Sequence, residues 1–261
     1  INAYYNYRRN RKADYHAQKS KVLQKIEEIY HKKGGTPGYR QMQSYLKKEG
    51  YTYSLLTIHK YMNRELGLQS ITRKKGPTYE HGEAHEVFEN KLNQNFHADE
   101  INQKWCTDFT YLYLTNREVR YNCTIIDLHE RAVIASITDR NITSDLAIRT
   151  LEKALKSQPK LKGPLLLHSD QGSQFTSKAF TEYCKKAGVT QSMSKAGYPY
   201  DNAPMERYFN TLKNDYYNLH EFHTEEELYR GIEEYAYVEY NHLRPHSYNN
   251  YRTPYEARFA A

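Results

Sequence analysis

The chain has 261 residues, with 38 Lys and Arg against 31 Asp and Glu, a net charge of +7 and a pI near 9.0. That length can hold one large core or a core with a small appended domain, and the basic excess suits a nucleic-acid partner without establishing one. Three widely spaced cysteines with no CxxC pair exclude a disulfide framework and a zinc knuckle. No signal-peptide pattern or apolar span of about 20 residues is present, so a cytoplasmic protein is expected.

Residues 1–34 are dense in Tyr, Lys and Arg, and Val22, Leu23, Ile26, Ile29 and Tyr30 recur at helical spacing. Gly34, Gly35, Pro37 and Gly38 break the pattern. Tyr39, Met42, Tyr45 and Leu46 then mark one face of a short helix that ends at Gly50. Ser54 is placed to cap a second helix to about Leu66, with Leu55, Ile58, Met62 and Leu66 on its inner face. Helix, turn, helix over 35–70, with Lys60 and Arg64 at polar positions, reads as a DNA-binding helix-turn-helix or as an ordinary helical hairpin. Residues 71–104 read as a partly basic linker. His81 and His85, four apart within it, lack the paired cysteines of a zinc site.

From Trp105 the period changes. Residues 105–114, 119–128 and 131–139 predict three strands in an antiparallel meander. An amphipathic helix over 144–156 follows, with Ser144 as its cap. Leu165–Leu167 form a short apolar strand bounded by turn residues, and a helix over 176–188 ends at Gly188. Residues 189–194 form a further strand, a helix starts near Asn202, and another covers 224–241. This order predicts an α/β, RNase H-like core, a mixed five-stranded sheet with helices, over 105–220. A C-terminal helix and basic tail occupy 221–261.

Three acids stand out. Asp170 follows the LLL strand directly; Asp170 and Gly172 suit a turn, and strand tips are also where α/β sheets carry their sites. Asp108 shares the parity of Cys106, Thr110, Leu112 and Leu114, the face expected to pack inward, where an acid is costly unless paired or bound to metal. Glu206 lies in the first turn of the last core helix, beside the stripe Met205, Phe209, Leu212 and Tyr216, with Asn202 read as the cap and Asp201 as its competitor. Asp127 and Asp139, also at strand ends, read as turn residues.

Thirty-five residues separate Asp170 from Glu206, and Lys213 follows Glu206 by seven, two turns along one face. Here the sequence resembles the DDE transposases and retroviral integrases. WCTDFTYL, LHSDQGSQFTS, YPYDNAPMERYFNTLK and EYNHLRPHSYNNYRTPYEARF resemble the second-frame (OrfB) transposases of the IS-three insertion-sequence family, as does the helix-turn-helix, so the likeness spans nearly the whole chain. It implies Asp108, Asp170 and Glu206 as catalytic, metal-binding residues, and Lys213 as a DNA contact near the cleaved end. It implies cleavage of element ends and joining by 3′-hydroxyl attack, through a circular intermediate. The partners implied are double-stranded DNA at element ends and target, further copies of the chain, and an upstream-frame OrfA product or fusion. The start at Ile1 agrees with the downstream half of such a fusion. Where family members carry HSDRG this chain has Gln171, which removes a charge but no metal ligand.

The residues fit that chemistry independently. Phosphodiester transfer needs charge neutralised on the attacking and leaving oxygens, and two Mg²⁺ ions held by carboxylates supply this, with Mn²⁺ able to substitute. The rival readings are a non-cleaving DNA-binding regulator derived from a transposase and an RNase H-type nuclease.

Overall fold

The computed structural model describes residues 4–5, 11–71, 86–158, 161, 163–196 and 198–259. His81, His85 and most of the expected linker lie outside the described residues. The chain divides into two units, residues 1–74 and 75–261.

In the first unit, α1 (Arg11–Lys32), α2 (Tyr39–Lys48) and α3 (Leu55–Lys60) share one apolar core, and α3 runs on as a π-helical turn over Tyr61–Glu65. Val22, Ile26, Met42, Leu46, Ile58 and Met62 are its buried centre. The long first helix therefore packs into the helix-turn-helix core instead of standing apart. Ser54 caps α3 as expected, accepting from the Thr57 N–H at 3.2 Å. Gly35 has φ +77, and a Cβ there would stand 2.6 Å from Ile71 Cδ1, so the turn after α1 requires glycine.

The second unit is built on a five-stranded sheet in the order β3-β2-β1-β4-β5. β1 (Lys104–Tyr113), β2 (Val119–Asp127) and β3 (Val133–Asp139) form the antiparallel meander. β4 (Leu165–Ser169) and β5 (Val189–Met193) add in parallel. Between them run α4 (Ser144–Ser157), the single turn α5 (Ser173–Thr176) and α6 (Lys178–Lys186). After β5 come α7 (Ala203–Asp215), α8 (Glu225–Glu234), which continues in π-helical form over Tyr235–Leu243, and α9 (Pro254–Arg258).

Both faces of the sheet are covered. Cys106 and Leu112 of β1, with Leu114 just after it, pack under α7 and α8 with Met205, Tyr208 and Leu212, whereas Trp105 faces α4 and α6 with Leu146, Leu151 and Phe180. The single inward parity expected for β1 is thus one of two buried faces, as is usual once parallel strands join a sheet. Asp108 lies on the α7 side by parity.

Two caps differ from expectation. Thr143, not Ser144, caps α4, its hydroxyl accepting from the Leu146 N–H at 3.1 Å. The predicted helix over 176–188 is interrupted at Ser177, which caps α6 by accepting from the Phe180 N–H.

Candidate active site

The parallel register pairs Cys106 of β1 with His168 of β4, and no later residues of the two strands pair. Asp108 and Asp170 each lie two residues beyond that last pair. The strands part there, and both acids emerge at the same edge of the opening. α7 crosses the same face of the sheet, and its first turn carries Glu206.

Each acid is held differently. Asp108 is half-buried and accepts from the Phe109 N–H at 2.7 Å. Asp170 is half-buried and accepts from the Gly172 N–H at 2.9 Å, so the turn reading of the sequence holds as a local fact. Glu206 is exposed. Burial drives the Asp108 carboxyl well above the ordinary carboxylate range; the charge of Asp170 and, less strongly, that of Glu206 push the same way, against the Phe109 hydrogen bond. Asp108 therefore feels the charges of both other acids.

The strand tip beneath Asp170 is fixed by a buried network. His168 bonds Ser192 through Nδ1 at 2.9 Å and Ser194 through Nε2 at 3.1 Å, and burial lowers its pKa to about 4, leaving the ring neutral. Gln171 donates to Ser194 O at 3.0 Å, tying the loop after β4 to the loop after β5.

The integrase core domain family matches residues 98–199 and, in a second part, residues 187–254; an HTH-like domain matches residues 17–76. The chain is 32% identical over 241 residues to the putative transposase InsK for insertion sequence element IS150 of Escherichia coli K12, covering 92% of this chain and 82% of that one. It is 31% identical over 211 residues to the transposase InsF for insertion sequence IS3A of the same organism, covering 81% and 73%. The chain belongs to the IS3-family transposases. A chain of the simian T-cell lymphotropic virus intasome shares the fold, with a TM-score of 0.53 at 17% identity over 84% of this chain and 71% of that one.

The remaining candidate residues of this IS3-family chain have places of their own. Lys213 lies on α7 with Glu206, half-buried, and loss of hydration lowers its pKa. Lys60 and Arg64 are exposed on the second helix of the helix-turn-helix. Asp139 pairs with Arg149 and accepts from the Asn141 N–H, as a turn acid does. Asp127 does more than turn the chain. Fully buried, it accepts from the Asn102 N–H at 2.6 Å and the His129 N–H at 3.0 Å, and it shares the Arg258 guanidinium with the buried Glu130. Gln158 and Asn102 accept the other arm of Arg258.

Neither acid-amide reading before α7 survives as written. Asn202 occupies the cap position but its side chain does not cap. It donates to Thr107 O instead, at 3.3 Å. Asp201 does not compete for the cap; Asn90, Gln94 and the Lys195 N–H all donate to it. Burial pushes its carboxyl up, but these bonds outweigh burial and hold it below the ordinary range. The two residues anchor the start of α7 to β1 and to the segment before the sheet. Sequence reasoning missed both contacts. The only local signal was a polar pair next to a helix start, which capping explains equally well.

Proposed function

We propose that this IS3-family protein is a DDE transposase: it cleaves the ends of an insertion element and joins them by 3′-hydroxyl attack, with Asp108, Asp170 and Glu206 holding the divalent metal. The observation that carries this reading is that Asp108 of β1 and Asp170 past the tip of β4 emerge where those strands part, on the face crossed by the helix whose first turn carries Glu206. Burial first, and the charges of Asp170 and Glu206 after it, raise the Asp108 carboxyl, a cost that a cation at this edge would offset.

The donor set suits a hard cation, which takes oxygen ligands. Asp108, Asp170 and Glu206 would hold such an ion, and among the described residues no three His, Cys, Asp or Glu side chains stand as a finished metal-binding group. When bound, two Mg²⁺ ions, or Mn²⁺ in their place, supply neutralising charge for the attacking and leaving oxygens. The protein does the rest. Asp108 stands in β1 just past its last pairing with β4, and Asp170 one residue beyond β4, each accepting a backbone N–H. Glu206 comes from a helix, and Lys213, two turns on, offers its amine to a DNA phosphate, which restores the charge stabilisation that burial withdraws. Lys60 and Arg64 of the helix-turn-helix contact duplex DNA at the element ends. Pairing two ends calls for further copies of the chain, and an upstream-frame OrfA product fits as an added DNA-binding partner.

The test is a nicking and strand-transfer assay on labelled element ends with Mg²⁺ or Mn²⁺. Wild type should cut and join, while Asp108→Asn, Asp170→Asn and Glu206→Gln should bind DNA and do neither. Binding without cleavage by wild type would favour the non-cleaving regulator instead. Cleavage confined to RNA–DNA hybrids would favour the nuclease.

A further inference from the structure

One buried polar atom is left over where β1 and β4 part. Successive backbone carbonyls of a strand point to opposite sides. The Leu166 N–H bonds Gln103 O, so the carbonyls of Trp105 and Thr107 also face β4. Pairing ends at Cys106 and His168, which leaves Thr107 O beyond the reach of the ladder. The Asn202 side chain takes the vacant place, donating through Nδ2.

Asn202 is 6% exposed. It sits one residue before α7 and four before Glu206, and the carbonyl it holds belongs to the residue before Asp108. Its amide thus fills the gap between the strands that carry Asp108 and Asp170, at the root of the helix that carries Glu206. Yet Asn202 Oδ1 is buried with no hydrogen-bond partner among the described residues. Exchanging the amide's oxygen and nitrogen gives no relief, since it would set two carbonyl oxygens against each other at Thr107. Capping would have given Oδ1 a backbone N–H, and no such bond forms. A buried acceptor without a donor is destabilising, so one kept at such a position awaits a donor that arrives from outside the chain.

We propose that Asn202 is a positioning residue of the active site, its Oδ1 accepting a hydrogen bond from a water that arrives in the coordination shell of the divalent cation. The inference rests on the reading of Asp108, Asp170 and Glu206 as the metal-holding acids. An amide is suited to this place because it both donates and accepts without charge. Its NH₂ end locks onto β1 while its oxygen faces the incoming water. An aspartate would lose the lock and add a fourth negative charge; a lysine would lose the acceptor. Such outer contacts orient a bound ion, and their removal typically weakens metal affinity by about 10- to 100-fold.

The experiment is Mn²⁺ binding to the full chain, followed by the EPR signal of free Mn²⁺, with melting temperatures in EDTA as the control for folding. Asn202→Ala should weaken Mn²⁺ binding by about 10- to 100-fold. Asn202→Asp, which loses the bond to Thr107 O but keeps an acceptor, should melt lower in EDTA yet bind Mn²⁺ at least as tightly as wild type. If Asn202→Ala does not fold, Asn202→Leu, which fills the space with no acceptor, is read in its place. Wild-type affinity in Asn202→Ala, or equal loss of affinity in the Ala and Asp variants, reduces Asn202 to a clamp and overturns the proposal. Asp170→Asn separates the two levels of inference. Weak Mn²⁺ binding there beside unaltered binding in Asn202→Ala defeats only the role of Asn202, whereas unaltered binding in Asp170→Asn defeats the carboxylate reading and this proposal with it.

Discussion

A methyl group placed on Gly172 would stand 2.9 Å from Asp170 Oδ1, the same oxygen that accepts the Gly172 N–H. The backbone at Gly172, φ −56 and ψ 143, is open to any residue, so glycine is required here by close approach and not by the turn. The second neighbour, Gln174 Oε1 at 3.1 Å, is the end of a flexible side chain and can move aside. Gly172→Ala should therefore leave the fold intact, with a melting temperature within a few degrees of wild type, while displacing the Asp170 carboxylate. Misplacing a catalytic group by about 1 Å can cost on the order of 100-fold in turnover, so even the smaller shift forced here should lower the strand-transfer rate measurably. Measured strand-transfer rates near wild type would mean that the position of Asp170 is not critical.

The cluster of Asp127, Glu130 and Arg258 yields a pH prediction. Two buried acids share one guanidinium, and His129 Nδ1 touches Glu130 as well, at 3.1 Å. Burial raises the Glu130 pKa to about 8 and the charge of Asp127 adds to it, against the pull of Arg258. A raised acid binds its proton more tightly folded than unfolded, so its contribution is complete below the ordinary glutamate pKa and is lost as pH rises through about 8. His168 and His246, lowered by burial to about 4 and about 3, act oppositely and add stability as pH rises toward 6.5. The two trends offset each other in acid; above about 6.5 the histidines contribute no further change, and the loss from Glu130 remains. The raised Asp108 carboxyl acts in the same direction and the lowered Lys213 amine against it. Glu130 should contribute no more than about 1.4 kcal/mol of lost stability per pH unit there, and Glu130→Gln should flatten the slope by that share. Urea midpoints at pH 6.5, 7.25 and 8 check it, and an equal slope in the variant would remove Glu130 as its source.

That cluster also marks where sequence reading stops. The elements around the site were legible because each rests on local pattern: Leu165–Leu167 as a buried strand, Asp170 at its tip, and the stripe Met205, Phe209 and Leu212 beneath Glu206. The spacing of 35 residues made the acids a set. Asp127 read as a turn residue because its bond from the His129 N–H is local, whereas its partner Arg258 is 131 residues away. The motif YRTPYEARF likewise carries a meaning that only the fold gives. Thr253 and Glu256 form a capping box, Pro254 opens the helix, and Arg258 is thereby delivered into the acid cluster. Asn202 failed as a cap for the same reason: tertiary contact with Thr107, 95 residues back, overrode local chemistry.

The helix-turn-helix supplies a prediction about salt. Lys60 at the end of α3 and Arg64 in the π-helical turn that continues it are exposed, and each phosphate contact releases condensed counterions, giving a slope of about −0.9 per contact in a plot of log affinity against log salt. Lys60→Ala with Arg64→Ala in the full chain should weaken duplex binding and make that slope shallower by about 1.8 units. Fluorescence anisotropy on a labelled element end across a salt series measures it. An unchanged slope would move the DNA contacts elsewhere on the protein.

The three acids give the sharpest contrast between stability and function. Without metal they repel, and Asp108 bears the cost, so neutralising any one of them should relieve strain. Asp108→Asn, Asp170→Asn and Glu206→Gln should each melt at or above wild type in EDTA. A cation that binds only the folded site stabilises it by linkage, about 2.7 kcal/mol at 100 times its Kd, which in a chain of this size raises the melting temperature by roughly 5–10 °C. Wild type should show that gain on addition of Mg²⁺ and the variants should lose most of it, together with cleavage and strand transfer, while still binding DNA. Asp139→Asn, which breaks only a half-exposed pair with Arg149, should keep both the Mg²⁺ response and activity. A triad variant that keeps the full Mg²⁺ response would remove that residue from the metal site, and one that destabilises the protein in EDTA would show its carboxylate to be structural instead.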